Sequence, residues 1–448
     1  MYKKILSFKT FLLVLLFFIW SALFGSLLKH HYKGGENFRF LQNIAVAIAK
    51  IPSTAEDMIK LVVEGKNPNP NKPPILTKHK HKKRFEQFIE NKRNALLVLP
   101  RYDHSLSRSV VDIIDLNNFE IIHTYKHDIN EMNNQVTNIK EFPRLKIDKS
   151  PLRFFYEHPV LFEDGSLTSI YGPAFKIDFC SNLQWINDEE IFHHSQMLDH
   201  DGNIWVGGQM NPKSQYVKKY PTYKDFMDDS IIKINTDGEI LFNKSITEIL
   251  IENNLIDENI INRNGNDPIH LNYIEPVFTS AEYWKQGDVF LSLRHQSAII
   301  HYRPSTNKVI NYIKGPFAQQ HDVDIISDKE ISIFNNNNFF VDNEYSEIVI
   351  YNFETKTFRK LFNNQLQKEN FKTHSQGLSH IFKDGSLMVE EQNHGRIILF
   401  NNKGEKEWEF VNKDKNGDIG FVSWSRVIED KLFIKKFKLN VKNKECLN

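Results

Sequence analysis

Short β-strand sequences separated by tight-turn signals recur along most of this chain, and this recurrence constrains the fold more than any other feature. The copies cover residues 161–170, 197–209 with 229–245, 287–315, 326–362 and 381–411, with a first copy near residue 100 and a partial one at 425–437. Several copies carry Asp-Gly, which supplies the positive-φ positions of a tight turn. The pattern therefore predicts a series of antiparallel sheets from Asn94 onward.

Each copy is too small to bury both faces of its own sheet, so the copies must pack against one another. Radial stacking of four-stranded sheets buries these faces and protects the sheet edges. The copies return at intervals of about 40 to 75 residues, which fits propeller blades better than a β-sandwich or two barrels. We expect an all-β fold, a six-bladed β-propeller over residues 94–440 with a tail at 441–448. Five or seven blades also fit the pattern.

The N-terminus carries the main signal for cellular location. Residues 11–28 form an uncharged apolar run that follows three lysines. As a helix, the run spans about 27 Å, close to the thickness of a bilayer core. The leading lysines favour a cytoplasmic N-terminus. We interpret residues 1–34 as a cytoplasmic tip and an inner-membrane anchor, with a cleaved signal peptide as the alternative. Both interpretations place the propeller in the periplasm.

Residues 35–93 are predicted to be a helical and proline-rich linker between this anchor and the propeller. Residues 38–51 are apolar with helical character, and a capping-box pattern predicts a helix over residues 54–64. The proline-rich residues 67–74 are compatible with neither a helix nor a central strand. The basic segment Lys78–Arg84 is expected to be a solvated tether, with attraction to anionic lipid headgroups as the alternative.

Charge and cysteine content narrow the choice of partners. The formal net charge is +1, so the chain gives no global electrostatic reason to bind nucleic acid, and we expect none. Cys180 and Cys446 are far apart in sequence and fit no metal-binding spacing. They could form one disulfide in an oxidising compartment. We favour the alternative of two free thiols.

Histidines and one arginine stand at comparable places in successive copies. In a propeller, the innermost strand of each blade lines the central channel, and polar residues just before that strand point at the axis. The residues found there, or within the strand of the copy at 287–315, are His193, His194, His270, Arg294, His295, His321, His374 and His380. One such histidine alone would be structural in most cases. Because the repeat brings all of them towards one axis, we expect a shared site.

An anion suits this set of residues better than a metal does. Three neutral imidazoles can bind zinc, but Arg294 would repel a divalent cation. Asp267 and Asp322 stand beside the histidines rather than in their place. Arginine offers a bidentate fork to a tetrahedral oxyanion. Histidines can donate to its other oxygens, and a neutral imidazole can attack its central atom. We therefore predict a site for a sulfate-like anion, without a metal or cofactor.

A series of motifs over about residues 150–440 resembles a known family. In order, they are HHSQML followed closely by DGNIWVGG, then DSIIKINTDGEI, DPIHLN, SLRHQSAIIHY, QQHDVDI and IFNNNNF. They are similar to the bacterial arylsulfotransferases, which need no adenylyl-sulfate donor. The resemblance implies a six-bladed propeller in the periplasm. It also implies transfer of a sulfuryl group from an aryl sulfate to a phenol, through a sulfated histidine and without a cofactor. At the matching positions His321 would be the nucleophile, while His194, His270 and Arg294 would hold the sulfate.

Two features depart from the family pattern. Asn335 and Asn336 follow Phe334 at the place where the family has an Asp-Asn pair, which leaves the role of this loop open. The first 90 or so residues match nothing in the family. Two other functions remain open. One is a non-catalytic propeller that serves as a ligand- or partner-binding scaffold at the cell envelope. The other is a hydrolase or lyase that uses the same axial site.

Overall fold

The computed structural model describes residues 8–32, five positions between 40 and 48, and residues 73–90, 93–138, 152, 154–170, 172–219, 226–256, 267–338, 345–442 and 444–446. The chain divides into two compact units, and the first contains the residues up to Pro70. This first unit includes a 25-residue helix, Phe8–Tyr32. Within the described ranges, no helix is long and apolar enough to cross a membrane. The helix predicted at residues 54–64 lies outside the described residues.

The second unit is an all-β propeller whose described strands form five antiparallel sheets. The first sheet contains Leu96–Asp103, Arg108–Asp115, Glu120–Tyr125 and, from the C-terminus, Arg426–Ile428. The second contains Glu157–Leu161, Leu167–Ile170, Gly172–Ile177, Leu183–Leu198, Ile204–Gln209, Asp229–Ile234 and Ile240–Ser245. The third contains Leu271–Pro276, Val289–Leu293, Ala298–Arg303 and Lys308–Ile313. The fourth contains Val323–Ser327, Glu330–Asn335, Glu347–Asn352 and Thr357–Leu361, and the fifth contains Leu378–Ile381, Leu387–Glu391, Arg396–Phe400 and Lys406–Val411.

Short helices occupy some of the connections between strands. Among the described residues of this unit, the α-helices are Ile129–Gln135, Gln215–Lys218, Ile246–Glu252, Asn363–Lys368 and Lys431–Val441, and 3₁₀ turns cover Pro304–Thr306 and Gln392–His394. Many hairpin turns end in a glycine, as the Asp-Gly signals predicted. Gly238 has φ +86°, and a Cβ atom there would lie 2.7 Å from the Trp185 ring. Glycine is therefore required at this turn for both its conformation and its size.

The long strand Leu183–Leu198 explains why five sheets are present where the sequence predicted six separate blades. Its first half pairs with Gly172–Ile177, and its second half pairs with Ile204–Gln209. The two halves therefore join two sets of strands into one seven-stranded sheet. The polar residues Asn187–Glu190 at its centre resemble a loop in sequence, yet their backbone stays extended.

The first strands of successive sheets pack together around a common centre. Glu157–Leu161 contacts the long strand, which contacts Leu271–Pro276, and this strand in turn contacts Val323–Ser327. The C-terminal strand Arg426–Ile428 pairs with Leu96–Val98 and also packs on Glu157–Leu161. The C-terminus thus closes the ring next to the first strands of the chain.

The segment after the closing strand differs from the prediction. Residues 425–437 were expected to be a partial β copy, but Lys431–Val441 is a helix. The Asp430 side chain caps this helix by accepting hydrogen bonds from the main-chain N–H groups of Leu432 and Phe433. Ile434, Phe437 and Val441 are buried at helical spacing, so tertiary burial together with the cap favours the helix.

The tail beyond this helix is attached to the propeller by a disulfide. Cys180 and Cys446 are bonded, with 5.3 Å between their Cα atoms. Our expectation of two free thiols was therefore wrong. The bond joins the C-terminal tail to the turn after Gly172–Ile177, so it adds a covalent link to the ring closure made by Arg426–Ile428.

The basic segment before the propeller is a strap on the fifth sheet, which we define as residues 73–90. Its strand Phe85–Gln87 pairs with Trp408–Phe410. Lys78 lies 2.5 Å and His79 2.8 Å from the buried carboxylate of Glu391. The basic segment is therefore held by ion pairs and is not the solvated tether that the sequence predicted.

Candidate functional site

The predicted site residues lie at the same ends of the inner strands. His270 directly precedes Leu271–Pro276, and His321 lies just before Val323–Ser327. Arg294 was expected inside a strand, but it directly follows Val289–Leu293. Its main-chain N–H donates to the His270 carbonyl, which ties this turn to the start of the neighbouring inner strand.

His194 reaches the site from an irregular point in the long strand. The register shifts between His193 and Gln196, and His194 has φ +67°. Such a bulge re-aims side chains that regular pairing would direct elsewhere. The main-chain N–H of His194 donates to the Glu157 carboxylate at 3.0 Å. Glu157, which the sequence reasoning missed, therefore holds the strained backbone in place.

His194 and His270 are in direct contact. Their Nε2 atoms lie 3.1 Å apart, and Nδ1 of His270 lies 2.6 Å from Asp267 Oδ2. A carboxylate can only accept, so His270 carries a hydrogen on Nδ1. When both rings are neutral, Nε2 of His270 is then the acceptor and His194 the donor. The two imidazoles share one proton.

Arg294 lies beside this pair. One of its Nη atoms is 2.6 Å from Nε2 of His295, and the other donates to Gln319 at 3.2 Å. Its Nε is buried and has no hydrogen-bond partner among the described residues. Burial lowers the pKa of Arg294, against the opposing charge of Asp267. An anion would complete the hydrogen bonding and offset this cost.

His321 is buried, with 2% of its surface exposed, and the structure determines its tautomer. The side-chain amide of Asn336 donates to the carbonyls of Thr373 and Gln376 at 3.0 and 2.7 Å. Its oxygen must therefore face Nδ1 of His321, at 2.6 Å, and that oxygen can only accept. Nδ1 consequently carries the hydrogen, and Nε2 carries the lone pair.

The Nε2 lone pair of His321 has a partner that the sequence did not predict. The main-chain N–H of Gln376 donates to it at 2.8 Å. Gln376 has φ +60°, and the following Gly377 has φ +109°. A main-chain donor cannot be recognised from residue types. The sequence did indicate, however, that the segment containing Gln376 precedes the inner strand Leu378–Ile381. His374, another residue of that segment, is exposed and its carbonyl accepts from Asn338.

Trp424 lies close to both His194 and His321. Its ring centroid lies 5.6 Å from that of His194 and 6.2 Å from that of His321. It lies two positions before the closing strand Arg426–Ile428, just as His270 and His321 lie directly or closely before their own inner strands. This repeat position was the signal that could have identified it.

The pKa values of His194 and His321 are both affected by the charges of other predicted site residues. Burial lowers the pKa of His194 well below 6.5, and the charges of His193, His270, His321 and Arg294 lower it further. Burial also lowers the pKa of His321 well below 6.5, with Arg294 and His270 contributing. Both rings therefore favour the neutral form at ordinary pH.

Comparisons with solved structures give low similarity. A protein of unknown function from Bacteroides caccae has 11% identity and a TM-score of 0.47, and the match covers 75% of this chain and all of that one. A streptogramin B lyase has 10% identity and a TM-score of 0.38, over 76% of this chain and 97% of that one. A virginiamycin B lyase from Staphylococcus aureus has 12% identity and a TM-score of 0.33, over 56% and 69%. Likenesses this low carry no argument about function.

Sequence comparison is more informative about the family. None of the curated proteins searched matches the chain significantly. The family model described as arylsulfotransferase (ASST) matches residues 160–413, more than half of the chain. This range contains His194, His270, Arg294, His321 and Asn336. The chain belongs to the arylsulfotransferase family.

Proposed function

We propose that this protein transfers a sulfuryl group from an aryl sulfate ester to a phenolic acceptor, with His321 as the nucleophile. One observation carries the proposal. Asn336 holds His321 in the tautomer whose Nε2 carries the lone pair, in a buried site that also contains Arg294, His194 and His270. A buried, neutral and oriented imidazole is what attack on a sulfate ester requires.

The sulfate of the donor would bind to Arg294, His194 and His270. The buried Nε of Arg294, which lacks a partner among the described residues, and the Nη groups donate to the sulfate oxygens. Arg294 stabilises charge on the equatorial oxygens while sulfur passes from oxygen to nitrogen, as cationic groups do in phosphoryl transfer.

The first half-reaction forms a bond between His321 Nε2 and sulfur and breaks the bond between sulfur and the phenolic oxygen. The Gln376 N–H leaves the Nε2 lone pair and donates instead to a sulfuryl oxygen. The departing phenolate takes a proton from the His194–His270 pair, which enters this step with one proton more than two neutral rings carry and leaves it with both rings neutral. Asp267 keeps this pair oriented through Nδ1 of His270.

The second half-reaction reverses these steps with the acceptor. The acceptor phenol gives its proton to the His194–His270 pair, and its oxygen attacks sulfur. The N–S bond breaks and His321 returns to its starting state. The proton taken by the first phenolate equals the one released by the second phenol, so no cofactor is needed and the kinetics are ping-pong.

Turnover of a chromogenic aryl sulfate tests the proposal directly. Product release that depends on added phenol supports transfer, and release at the same rate without phenol indicates a hydrolase instead. His321→Ala is expected to abolish turnover, whereas His200→Ala, which changes a half-exposed ring in a hairpin turn, is expected to retain it. Unchanged turnover in His321→Ala would remove His321 from its proposed role.

We further propose that the seven-stranded sheet acts as two blades, which gives six radial units. The separate pairing of the two halves of Leu183–Leu198 supports this count. An experimental structure with five radial units would contradict it.

A location outside the cytoplasm is part of the same proposal. It is supported by the apolar run at residues 11–28, with its leading lysines, and by the Cys180–Cys446 disulfide, since disulfides persist mainly in oxidising compartments. Protease added to cells with a permeabilised outer membrane should reach the propeller. Complete protection, with a periplasmic control protein digested, would contradict this location.

A further inference from the structure

A second polar cavity lies among the inner strands and takes no part in the proposed reaction. Its volume is about 220 Å³. All the inner strands contribute to its lining, through residues such as His158, Met197, Glu275, Asp324, Ser379 and Arg426. Trp424 lies near both sites. Its ring packs close to His158 and Tyr273, which line the cavity, and also to His194 and His321.

Three carboxyl groups gather at this cavity without cationic partners. Glu275 and Asp324 line it, and Asp322 interacts electrostatically with both. None of the three forms an ion pair within the described part of the chain. Burial, reinforced by their mutual repulsion, raises the pKa of Glu275 to about 8 and also raises that of Asp324. Burial, reinforced by the charge of Glu390, raises the pKa of Asp322 to about 7. These shifts are what burial and mutual repulsion produce in a cluster of carboxyls when the charge of Arg426 offsets them only in part.

Arg426 is the half-buried cation in this cavity, but its hydrogen bonds go elsewhere. Its guanidinium donates to the carbonyls of Pro159 at 3.1 Å and Gln196 at 2.6 Å, and contacts the sulfur of Met197 at 3.1 Å. If all three carboxyls are ionised, Arg426 leaves two negative charges uncompensated. Buried charges of this kind are costly unless paired.

Unsatisfied polar atoms at the same place point independently to a ligand. His158 is 2% exposed and lines the cavity, and its Nδ1 has no partner in the part of the chain that the structure describes. Oε2 of Glu275, which also lines the cavity, is equally without a partner there. Native proteins rarely leave such groups unpaired.

The residues that line the cavity indicate which kind of cation it would bind. Apolar side chains share it with the carboxyls; they include Met197, Tyr273, Ile325, Ile326, Leu378 and Ile381. Among the described residues, the tight groups of metal-ligating atoms lie elsewhere, at Asp267 with His270 and His295 and at Asp199–Asp201. The cavity has room for roughly seven water volumes, enough for a small organic molecule.

We propose that this cavity binds a small organic ammonium ion, with its charged end on Glu275 and Asp324 and its carbon chain on the apolar lining. The ammonium supplies three hydrogen-bond donors, one of which would satisfy the unpartnered Oε2 of Glu275. Tyr273 offers an aromatic face to the cation. The site is separate from the sulfuryl-transfer site, so it stands whether or not His321 is a nucleophile.

Isothermal titration of the full chain with n-butylammonium chloride at constant ionic strength tests this proposal. Saturable one-to-one binding is expected, with affinity reduced about tenfold or more in the Glu275→Gln, Asp324→Asn double variant. His321→Ala should bind the amine unchanged. Absence of saturable binding would overturn the proposal, as would equal affinity in the double variant. Saturable binding of MgCl₂ without binding of the amine would overturn the organic class of ligand.

Two further variants separate binding from folding. Glu163→Gln removes a surface carboxylate that pairs with Lys436, and it should leave amine binding unchanged. Ile381→Phe reduces the cavity but keeps every charge, and it should also weaken binding about tenfold or more. If the double variant fails to fold, the Ile381→Phe result decides, and undiminished affinity there would contradict the proposed location.

Discussion

The Oδ1 atom of Asn336 lies 2.6 Å from Nδ1 of His321, and it can only accept the hydrogen bond because the amide NH₂ is already bonded to two carbonyls. The interaction fixes which imidazole nitrogen is available for chemistry. It also favours the protonated ring, and so partly opposes the lowering of the His321 pKa by burial and by Arg294.

Changing Asn336 should therefore move the pH dependence of the reaction. Asn336→Asp places an anion beside Nδ1, which raises the His321 pKa and shifts the acid limb of kcat/KM to higher pH. Asn336→Leu removes the acceptor, and kcat/KM should fall by about one to two orders of magnitude. The check is a pH–rate profile of both variants. Asn352→Leu, at the end of a neighbouring strand, is the control, and an acid limb that does not move in Asn336→Asp would contradict the account.

Asp267→Asn should affect donors according to their leaving groups. Asp267 orients His270, whose pairing with His194 is proposed to supply the proton. A phenolate whose phenol has a pKa near 10 needs that proton, whereas a nitro-substituted phenolate leaves readily without it. We expect kcat to fall about tenfold or more for phenyl sulfate and little for nitrophenyl sulfate. Equal losses for both donors, measured against Asp201→Asn as control, would argue for a purely structural role.

Removing the disulfide should destabilise the propeller without touching its site. Cys180 and Cys446 close a loop across 266 positions of sequence. Disulfides typically stabilise by about 2–4 kcal/mol, so the free energy of unfolding of the double serine variant, measured by urea denaturation, should be lower by that amount. Reductant should lower the stability of the natural chain and leave the variant unaffected. A natural chain insensitive to reductant would mean that the bond contributes little.

Glu391 should account for much of the strap's attachment. Its buried carboxylate binds Lys78, His79 and Arg396, and these partners offset the cost of burial and lower its pKa to about 2. Glu391→Gln removes the carboxylate that these partners share, and although Arg396 keeps Glu369 and Glu409, the loss should cost about 3–5 kcal/mol. Lys83→Ala, in an exposed pair with Glu86, should change stability by less than about 1 kcal/mol.

The pH dependence of this contribution has a defined sign. The folded-state pKa of Glu391 is below its ordinary value of 4.5. Its contribution is therefore fully present above about pH 4.5 and is lost as pH falls towards 2. The stability difference between the natural chain and Glu391→Gln should narrow over that range, and a constant difference would contradict the assignment.

Sequence reasoning identified the parts of this protein that repeat. The propeller and the contact between His194 and His270 followed from copies that place equivalent positions at one axis. The long strand was missed because Asn187–Glu190 resembles a loop, and only pairing on both sides keeps it extended. The C-terminal helix was missed because its apolar residues continue a β-like pattern, and burial with the Asp430 cap decides its conformation.

The remaining parts of the site depend on interactions that cannot be predicted from residue types. The Gln376 donor is a main-chain group, and its position depends on two consecutive positive-φ residues. Asn336 could not be assigned a role, because its function depends on two carbonyls that come from a distant segment. The strap could not be predicted because Lys78 and His79 pair with Glu391, more than 300 residues away in sequence.

The most direct test of the central claim is mass spectrometry of protein mixed with an aryl sulfate in the absence of acceptor and quenched at alkaline pH. We predict one added SO₃ group per chain, located on His321 by fragmentation, and its loss when phenol is added before quenching. An adduct on another residue, or full turnover with no adduct on His321 at any time, would contradict the account.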